Sequence, residues 1–107
     1  MIACLRTVVV PPDARERFLD WIAGNRSVRE AHGILLELVL EPADGDGDTV
    51  VITAWPSHEV FDAWIATKER DRLTASDVHR SVEYRPLTRY DVVGGYVNVT
   101  ELEEERP

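Results

Sequence analysis

The chain lacks the features that mark disulfide-bonded, zinc-binding or membrane-spanning proteins. One of its 107 residues is a cysteine, Cys4, so it cannot form an internal disulfide or a zinc site built from cysteines. No apolar run approaches the roughly 20 residues that span a bilayer. The first residues, MIACLRTVVVPPD, do not resemble a signal peptide. We therefore expect a cytoplasmic protein with no membrane partner.

Positive charge is also scarce. The chain has 12 Lys and Arg against 20 Asp and Glu, which gives a net charge of −8. Because binding to nucleic acid needs a basic face, this balance argues against a nucleic-acid partner. The final residues, ELEEERP, hold four Glu and one Arg and so carry −3 of that charge. We expect one folded domain over 1–97 and a solvated acidic tail over 98–107.

Metal-binding motifs are missing as well. The stretch DGDGD begins at Asp44 and invites a calcium interpretation. An EF-hand register from that residue would need Gly at 49 and Glu at 55, where the chain has Thr49 and Trp55. We therefore interpret the stretch as a hairpin turn and predict no metal site.

The chain does contain short apolar runs separated by amphipathic segments. IACLRTVVV (2–10) predicts a strand that stops at two prolines. Asp13, with Glu16 three residues later, has the pattern of a capping box and predicts a helix from about 13 into the high 20s. Gly33 ends it. Two further strands, 34–41 and 49–55, flank the DGDGD turn and predict a hairpin.

The second half of the chain repeats this order. Ser57 predicts the N-cap of a second helix, and the helical spacing of its apolar residues gives that helix one apolar stripe. The polar segment 67–80 predicts a broken or irregular helix. Residues 81–96 predict a last strand, bulged or interrupted at Pro86. The sum is an α+β protein of order β-α-β-β-α-β, a ferredoxin-like antiparallel sheet with both helices on one face.

The first and third strands are apolar on both faces. An antiparallel sheet that exposes one face to water alternates between apolar and polar residues, and these strands do not. Two helices cover only one face, so another surface must cover the second face. A second copy of the chain is the simplest cover, and we predict a homodimer.

Three local patterns give the chain a family resemblance. They are the step AWPS (54–57) at the end of the third strand, the F-x-x-W from Phe61 to Trp64, and the turn His32-Gly33-Ile34. Together with the element order, they resemble the antibiotic biosynthesis monooxygenase (ABM) superfamily. The resemblance implies a dimeric α+β barrel. It also implies a range of functions: cofactor-free oxygenases of aromatic polyketides, quinol oxygenases, haem-degrading enzymes, small-molecule isomerases and members without known activity.

The haem-degrading branch implies three residues: an Asn on the first strand, a Trp on the second helix and a haem-ligating His further on. Trp64 matches the Trp. The Asn position falls on or beside Arg6 and the His position falls near Leu73. The nearest histidine, His79, comes several residues later and would reach haem only if 67–80 folds back. We expect no cofactor, with haem as the alternative.

The polyketide-oxygenase branch implies a Trp at the end of the third strand, which Trp55 matches. Such an enzyme must bind an aromatic phenolate or enolate, stabilise its charge and exclude water while O₂ reacts. Arg6, on an otherwise apolar strand, pairs with an anionic substrate oxygen, pairs with a carboxylate such as Glu37, or reaches solvent at an edge. His79 is either a general base or an exposed histidine at a helix end.

We therefore predict a cofactor-independent monooxygenase that acts on O₂ and a small aromatic or enolic substrate. Arg6, Trp55 and His79 are the predicted catalytic residues, with Trp55 at the open end of its strand. The predicted substrate-binding residues are Trp21, Phe61, Trp64 and Arg72, although core packing also explains the aromatic positions on helices. The alternatives are a non-catalytic ligand-binding or stress-associated dimer, and a haem-binding protein.

Overall fold

Short helices pack on one face of an antiparallel sheet in the computed structural model, which describes residues 1–98. The strands are β1 (Ile2–Val9), β2 (Leu36–Leu40), β3 (Thr49–Trp55), β4 (Glu83–Tyr84) and β5 (Thr88–Asp91). The helices are α1 (Arg15–Gly24), α2 (Arg26–Ala31), α3 (His58–Ile65), α4 (Lys68–Thr74) and α5 (Asp77–Arg80). The predicted acidic tail lies outside the described residues, apart from Asn98.

The strand order confirms the ferredoxin-like prediction. The strands lie in the order β2-β3-β1-β4, with β5 also beside β1, and every pairing is antiparallel. The predicted hairpin is the β2–β3 pair, in which Leu38 lies opposite Ile52. This order places β1 in the centre, where both of its faces can contact other groups.

The last strand is interrupted at the predicted place. Val8 pairs with Tyr84 on β4, and Leu5 pairs with Thr88 on β5. Three steps along β1 thus match four steps along the other strand, so one extra residue is accommodated around Pro86. β4 and β5 together form one edge of the sheet.

The predicted capping box at Asp13 is wrong. Residues Pro12–Ala14 form a single 3₁₀ turn, and α1 begins only at Arg15, with no side-chain cap on Ala14. The consecutive prolines explain the shift, because Pro12 fixes its own φ and places Asp13 inside the turn instead of before a helix. The helical region then breaks at Asn25, whose side-chain amide donates to the carbonyl of Trp21 at 2.8 Å.

Hydroxyl caps shape the second half of the chain. Ser57 accepts a hydrogen bond from the Val60 N–H at 3.2 Å, which confirms the predicted N-cap of α3. Thr67 and Ser76 cap α4 and α5 in the same way. The predicted broken helix over 67–80 is thus two capped short helices. The turn between them brings α5 against α1.

The core forms two clusters on the helix-bearing face of the sheet. One contains Ile2, Cys4 and Trp55 with the α3 residues Phe61 and Trp64, and we call it the Trp55 cluster. The other, the Phe18 cluster, contains Val8, Phe18 and Ile22. Arg6 lies between Cys4 and Val8 on the same face of β1 and so stands where the two clusters would otherwise meet.

The opposite face of the sheet is mainly apolar and is not covered by a helix within residues 1–98. Strand alternation and pairing place a mainly apolar set on this outer face: Ala3, Leu5, Val9, Leu36, Leu38, Leu40, Val50, Ile52, Ala54 and Tyr90. Its polar members are Thr7, Thr88 and Glu83. Leu40 and Tyr90 are largely exposed. No helix within residues 1–98 could span a bilayer.

Candidate active site

A cavity of about 360 Å³ separates the two core clusters. Its size is in the range of small-ligand pockets. The sheet forms its floor and α1–α5 form its walls. The polar and aromatic side chains on its wall are Arg6, Arg29, Glu37, Thr53, Arg70, Thr74, His79, Tyr84 and Arg89, with Phe18, Trp21, Trp55, Phe61 and Trp64.

Flat aromatic rings make one side of the cavity. The rings of Trp55 and Trp64 stack with centroids 6.2 Å apart and an interplanar angle of 22°. Phe61 meets Trp55 edge-on at 5.3 Å. Such a wall favours an apolar ligand with an aromatic ring, because rings pack well against the edges and faces of other rings.

Trp55 does not stand at an open strand end as predicted. It is 1% exposed, and its indole N–H donates to the Thr53 hydroxyl at 3.0 Å. Helix α3 returns over the end of β3 and encloses the ring, which strand alternation alone does not reveal. Trp64 is 6% exposed, so both tryptophans are enclosed to a similar degree and form one buried stack on the cavity wall.

Arg6 reaches the cavity from the centre of the sheet. Its Nε is buried and has no hydrogen-bond partner among the described residues. Burial lowers the pKa of Arg6, and the positive charge of Arg70 lowers it further. Its guanidinium carbon lies 5.7 Å from the centre of the Tyr84 ring. Within residues 1–98 the guanidinium therefore has an aromatic neighbour but no anion that balances its charge.

The interpretation that Arg6 pairs with Glu37 is wrong. The Glu37 carboxylate accepts from Arg29 Nε at 2.8 Å and lies 3.4 Å from Arg26. Arg29 also donates to the carbonyl of Ile22 at 2.6 Å. Helix α2 thus supplies the partners of Glu37 and leaves Arg6 without a carboxylate.

His79 and Tyr84 lie beside Arg6, and each also has a buried polar atom without a hydrogen-bond partner in residues 1–98. Their rings stack at 4.3 Å with an interplanar angle of 19°, and Trp21 contacts the histidine at 5.7 Å. These atoms are His79 Nδ1 and the Tyr84 hydroxyl oxygen. The interpretation of His79 as an exposed histidine at a helix end is therefore wrong. The α4–α5 turn folds it inward.

The protonation states of this pair follow from their surroundings. Burial lowers the pKa of His79, and Arg70 and Arg6 lower it further. Burial raises the pKa of Tyr84 to about 12, against a smaller opposing effect of Arg6. At neutral pH the imidazole is therefore neutral and the phenol keeps its proton. One group can accept a proton, and the other can donate a hydrogen bond.

Arg72 does not reach the cavity. It is exposed on the outer face of α4, whereas Arg70 lines the cavity. The two residues are separated by about 200° around a helix, so only one of them can face the sheet. Without the position of the Thr67 cap, the sequence does not show which arginine points inward.

Sequence reasoning also missed Arg29, Tyr84 and Arg89 as wall residues. Arg89, on β5, pairs with Asp62 at 2.7 Å and lies 4.7 Å over the Phe61 ring. Each of these residues comes from an element whose orientation depends on distant pairing. The signal available in the sequence was strand parity, since Tyr84 lies opposite Val8 in the ladder and thus faces the helices.

Cys4 lies on the same wall as a buried thiol. Burial raises its pKa, an effect that the charges of Arg89 and Arg6 and a hydrogen bond to Thr53 only partly oppose. The thiol is therefore protonated and unreactive at neutral pH. The described residues also contain no cluster of three or more His, Cys, Asp or Glu side chains that could hold a metal ion.

Solved structures with the same fold include two proteins of different chemistry. The cofactor-independent oxygenase SnoaB from Streptomyces nogalater is 16% identical, with 88% of this chain and 94% of that chain covered and a TM-score of 0.73. The haem degrader MhuD from Mycobacterium tuberculosis, with two haems bound in its active site, is 21% identical. In that case 91% of this chain and 100% of the other are covered, with a TM-score of 0.71. At such identities the similarity shows the fold and not the chemistry.

The sequence itself matches one family. The model for antibiotic biosynthesis monooxygenases matches residues 1–74, more than two thirds of the chain. No curated protein matches the chain. The matched span runs from β1 through α4 and includes most of the cavity wall. The chain belongs to the antibiotic biosynthesis monooxygenase family.

Proposed function

We propose that this protein is a cofactor-independent monooxygenase that acts on a planar aromatic phenol or enol. One observation carries the proposal. Three buried polar atoms without hydrogen-bond partners in residues 1–98, on Arg6, His79 and Tyr84, occur together on the cavity wall. Each unsatisfied buried group costs free energy, and a substrate oxygen would satisfy all three kinds of group.

The chemistry begins with a proton. Neutral His79 accepts the phenol or enol proton, and Arg6 stabilises the anion that forms. Tyr84 donates a hydrogen bond to the same oxygen. The anion then transfers one electron to O₂, and the resulting substrate radical and superoxide combine to form a carbon–oxygen bond. The peroxide anion takes the proton back from His79 and becomes a hydroperoxide. Loss of water from this hydroperoxide, with the hydrogen of the oxygenated carbon, leaves a carbonyl, so one oxygen atom enters the product and the other leaves as water.

The aromatic wall orients the substrate and excludes water during this reaction. The Trp55–Trp64 stack holds the substrate ring flat and keeps water from the anion and the radical pair. Because the substrate supplies all four electrons that reduce O₂, the cavity residues need only bind, orient and handle one proton.

Haem chemistry of the family type does not fit these residues. The position that the resemblance assigns to an Asn falls on or beside Arg6, and the position of the haem-ligating His falls near Leu73, which has no donor atom. Cys4 and Tyr84 both keep their protons because their pKa values are raised. The neutral His79 is left as a candidate iron ligand, so haem binding is the second candidate. A haem titration tests it, and a Soret shift that His79→Gln abolishes would support it.

We also propose that the outer face of the sheet joins two copies of the chain. The face is mainly apolar, and a second copy offers a surface of the same shape and chemistry. Light scattering should give twice the mass of one chain, and Leu38→Glu, in the middle of this face, should give a single chain. A wild-type protein that is monomeric at micromolar concentration would contradict this arrangement.

The proposed activity is tested by O₂ uptake with a panel of hydroxynaphthoquinols. We expect Arg6→Ala to lower turnover by about 100-fold, the usual effect of removing a group that stabilises a developing anion. Trp55→Phe should chiefly raise KM, because it shortens the aromatic wall. Arg72→Ala, a change of the same charge at the exposed position, is the matched control. Unchanged turnover in both Arg6→Ala and Trp55→Phe would refute the assignment.

The competing hypothesis is a ligand-binding dimer without turnover. It needs the same cavity but no proton acceptor. His79→Gln separates the two, because it should abolish O₂ uptake and leave binding of a non-oxidisable naphthol unchanged. Binding without O₂ uptake by the wild-type protein would favour the non-catalytic hypothesis.

A further inference from the structure

Four arginines reach the cavity wall, but only two of them are neutralised. Arg29 and Arg89 each have the carboxylate partner described above. No ion pair of Arg6 or Arg70 is formed within residues 1–98, and Glu37 is the one carboxylate on the wall. A chain with a net charge of −8 thus concentrates positive charge inside its cavity. The excess consists of Arg6 and Arg70.

These two guanidiniums line the same cavity, Arg6 from β1 and Arg70 from α4. After burial, Arg70 is the strongest influence that lowers the pKa of Arg6, and both charges lower the pKa of His79. Like charges that share a half-buried cavity repel one another, and an anion between them removes the repulsion. The neutral Tyr84 hydroxyl is a hydrogen-bond donor at the same place.

The two guanidiniums favour an anion that has more than one acceptor oxygen. Arg6 comes from β1 and Arg70 from α4, so they approach from different sides. A phenolate offers one oxygen, whereas a carboxylate offers two oxygens and takes charge-assisted hydrogen bonds from two guanidiniums at once. The aromatic stack beside them requires that the rest of the ligand be flat.

We infer that the pocket takes a planar aromatic carboxylic acid, with its carboxylate between Arg6 and Arg70 and its rings along the Trp55–Trp64 stack. This inference deepens the proposed function, on which it rests, because it names the class of aromatic that the same pocket oxidises. A ring hydroxyl next to the carboxylate lies within the same polar region, where His79 can take its proton.

The test compares 2-naphthoate with 2-naphthamide, a neutral ligand of nearly the same shape, by quenching of tryptophan fluorescence and by calorimetry. Wild-type protein should bind the acid at least tenfold more tightly than the amide, because charge-assisted hydrogen bonds are about twice as strong as neutral ones. Arg70→Met should remove this preference. Arg72→Met, the same change two residues along α4, should leave it intact.

Arg6→Met should also remove the preference, and the half-buried Arg70 gives an answer even if that variant fails to fold. Equal affinity of wild-type protein for acid and amide would overturn the inference. So would an equal loss of the preference in Arg70→Met and Arg72→Met.

The inference and the proposed function can fail separately. Neither ligand has a hydroxyl that can be oxidised, so the comparison reports binding alone. Preferential binding of 2-naphthoate without O₂ uptake on any hydroxynaphthoate would refute the oxygenase and leave the acid site. O₂ uptake on neutral naphthoquinols, with equal affinity for acid and amide, would refute the acid site and support the oxygenase.

Discussion

Gly33 provides the sharpest stability prediction, because two separate effects oppose any side chain there. Its φ is +104°, and a Cβ atom would lie 2.8 Å from Val60 Cγ1 on α3. The backbone conformation costs an L-residue about 1–2 kcal/mol. The forced contact adds about 1–3 kcal/mol, the usual cost of overpacking. Gly33→Ala should therefore lower the free energy of unfolding by about 2–5 kcal/mol.

Two other glycines serve as controls that separate the cost of the backbone conformation from the cost of the contact with Val60. Gly45 has a φ of +82° with open space around it, so Gly45→Ala should show the backbone cost alone. Gly24, at the end of α1, has neither constraint, and Gly24→Ala should stabilise by about 0.5 kcal/mol. Urea unfolding measures all three variants. If Gly33→Ala loses no more stability than Gly45→Ala, the contact between the α2–β2 turn and Val60 does not hold as described.

Two further predictions concern buried groups. Glu37→Gln should lower the free energy of unfolding by about 3 kcal/mol, because Arg29 is then left buried without a counter-charge. Glu41→Gln, in an exposed pair with Arg15, should not move the urea midpoint. Equal effects of the two substitutions would contradict the burial argument. Tyr84 is neutral in the fold up to a pKa of about 12 and titrates near pH 10 when unfolded. Its stabilising contribution is therefore complete below about pH 10 and is lost between about pH 10 and 12. Tyr84→Phe should flatten that part of the pH profile of unfolding free energy, and an unchanged slope would show that other groups cause it.

The sequence was sufficient for the features that depend on local chemistry. The Ser57 cap, the hairpin and the interruption at Pro86 each follow from a residue type and its immediate neighbours. The same local reasoning failed at Asp13, because the capping pattern did not account for the 3₁₀ turn that two prolines impose. Where two local patterns conflict, as here, the fixed φ of proline overrides the capping preference of Asp13.

The candidate site was only partly predictable, for a different reason. Arg6 was found because a charge on an apolar strand is unusual, and parity placed it on the cavity face. Choosing Arg70 over Arg72 required the phase of α4, which depends on where the helix begins. Arg29 could be recognised as the partner of Glu37 only after α2 was positioned on β2. Which arginine faces the cavity and which one pairs with Glu37 depend on how the helices pack on the sheet, and a single sequence does not reveal that packing.

The central claim is that this cavity oxidises an aromatic substrate with O₂ and no cofactor. Its most direct test is mass spectrometry of the product formed from a hydroxynaphthoate under ¹⁸O₂, with haem-free protein and a metal chelator. We expect one labelled oxygen atom in the product, and a yield that falls to the protein-free background in Arg6→Ala. A product without label, or an equal labelled yield from Arg6→Ala, would contradict it.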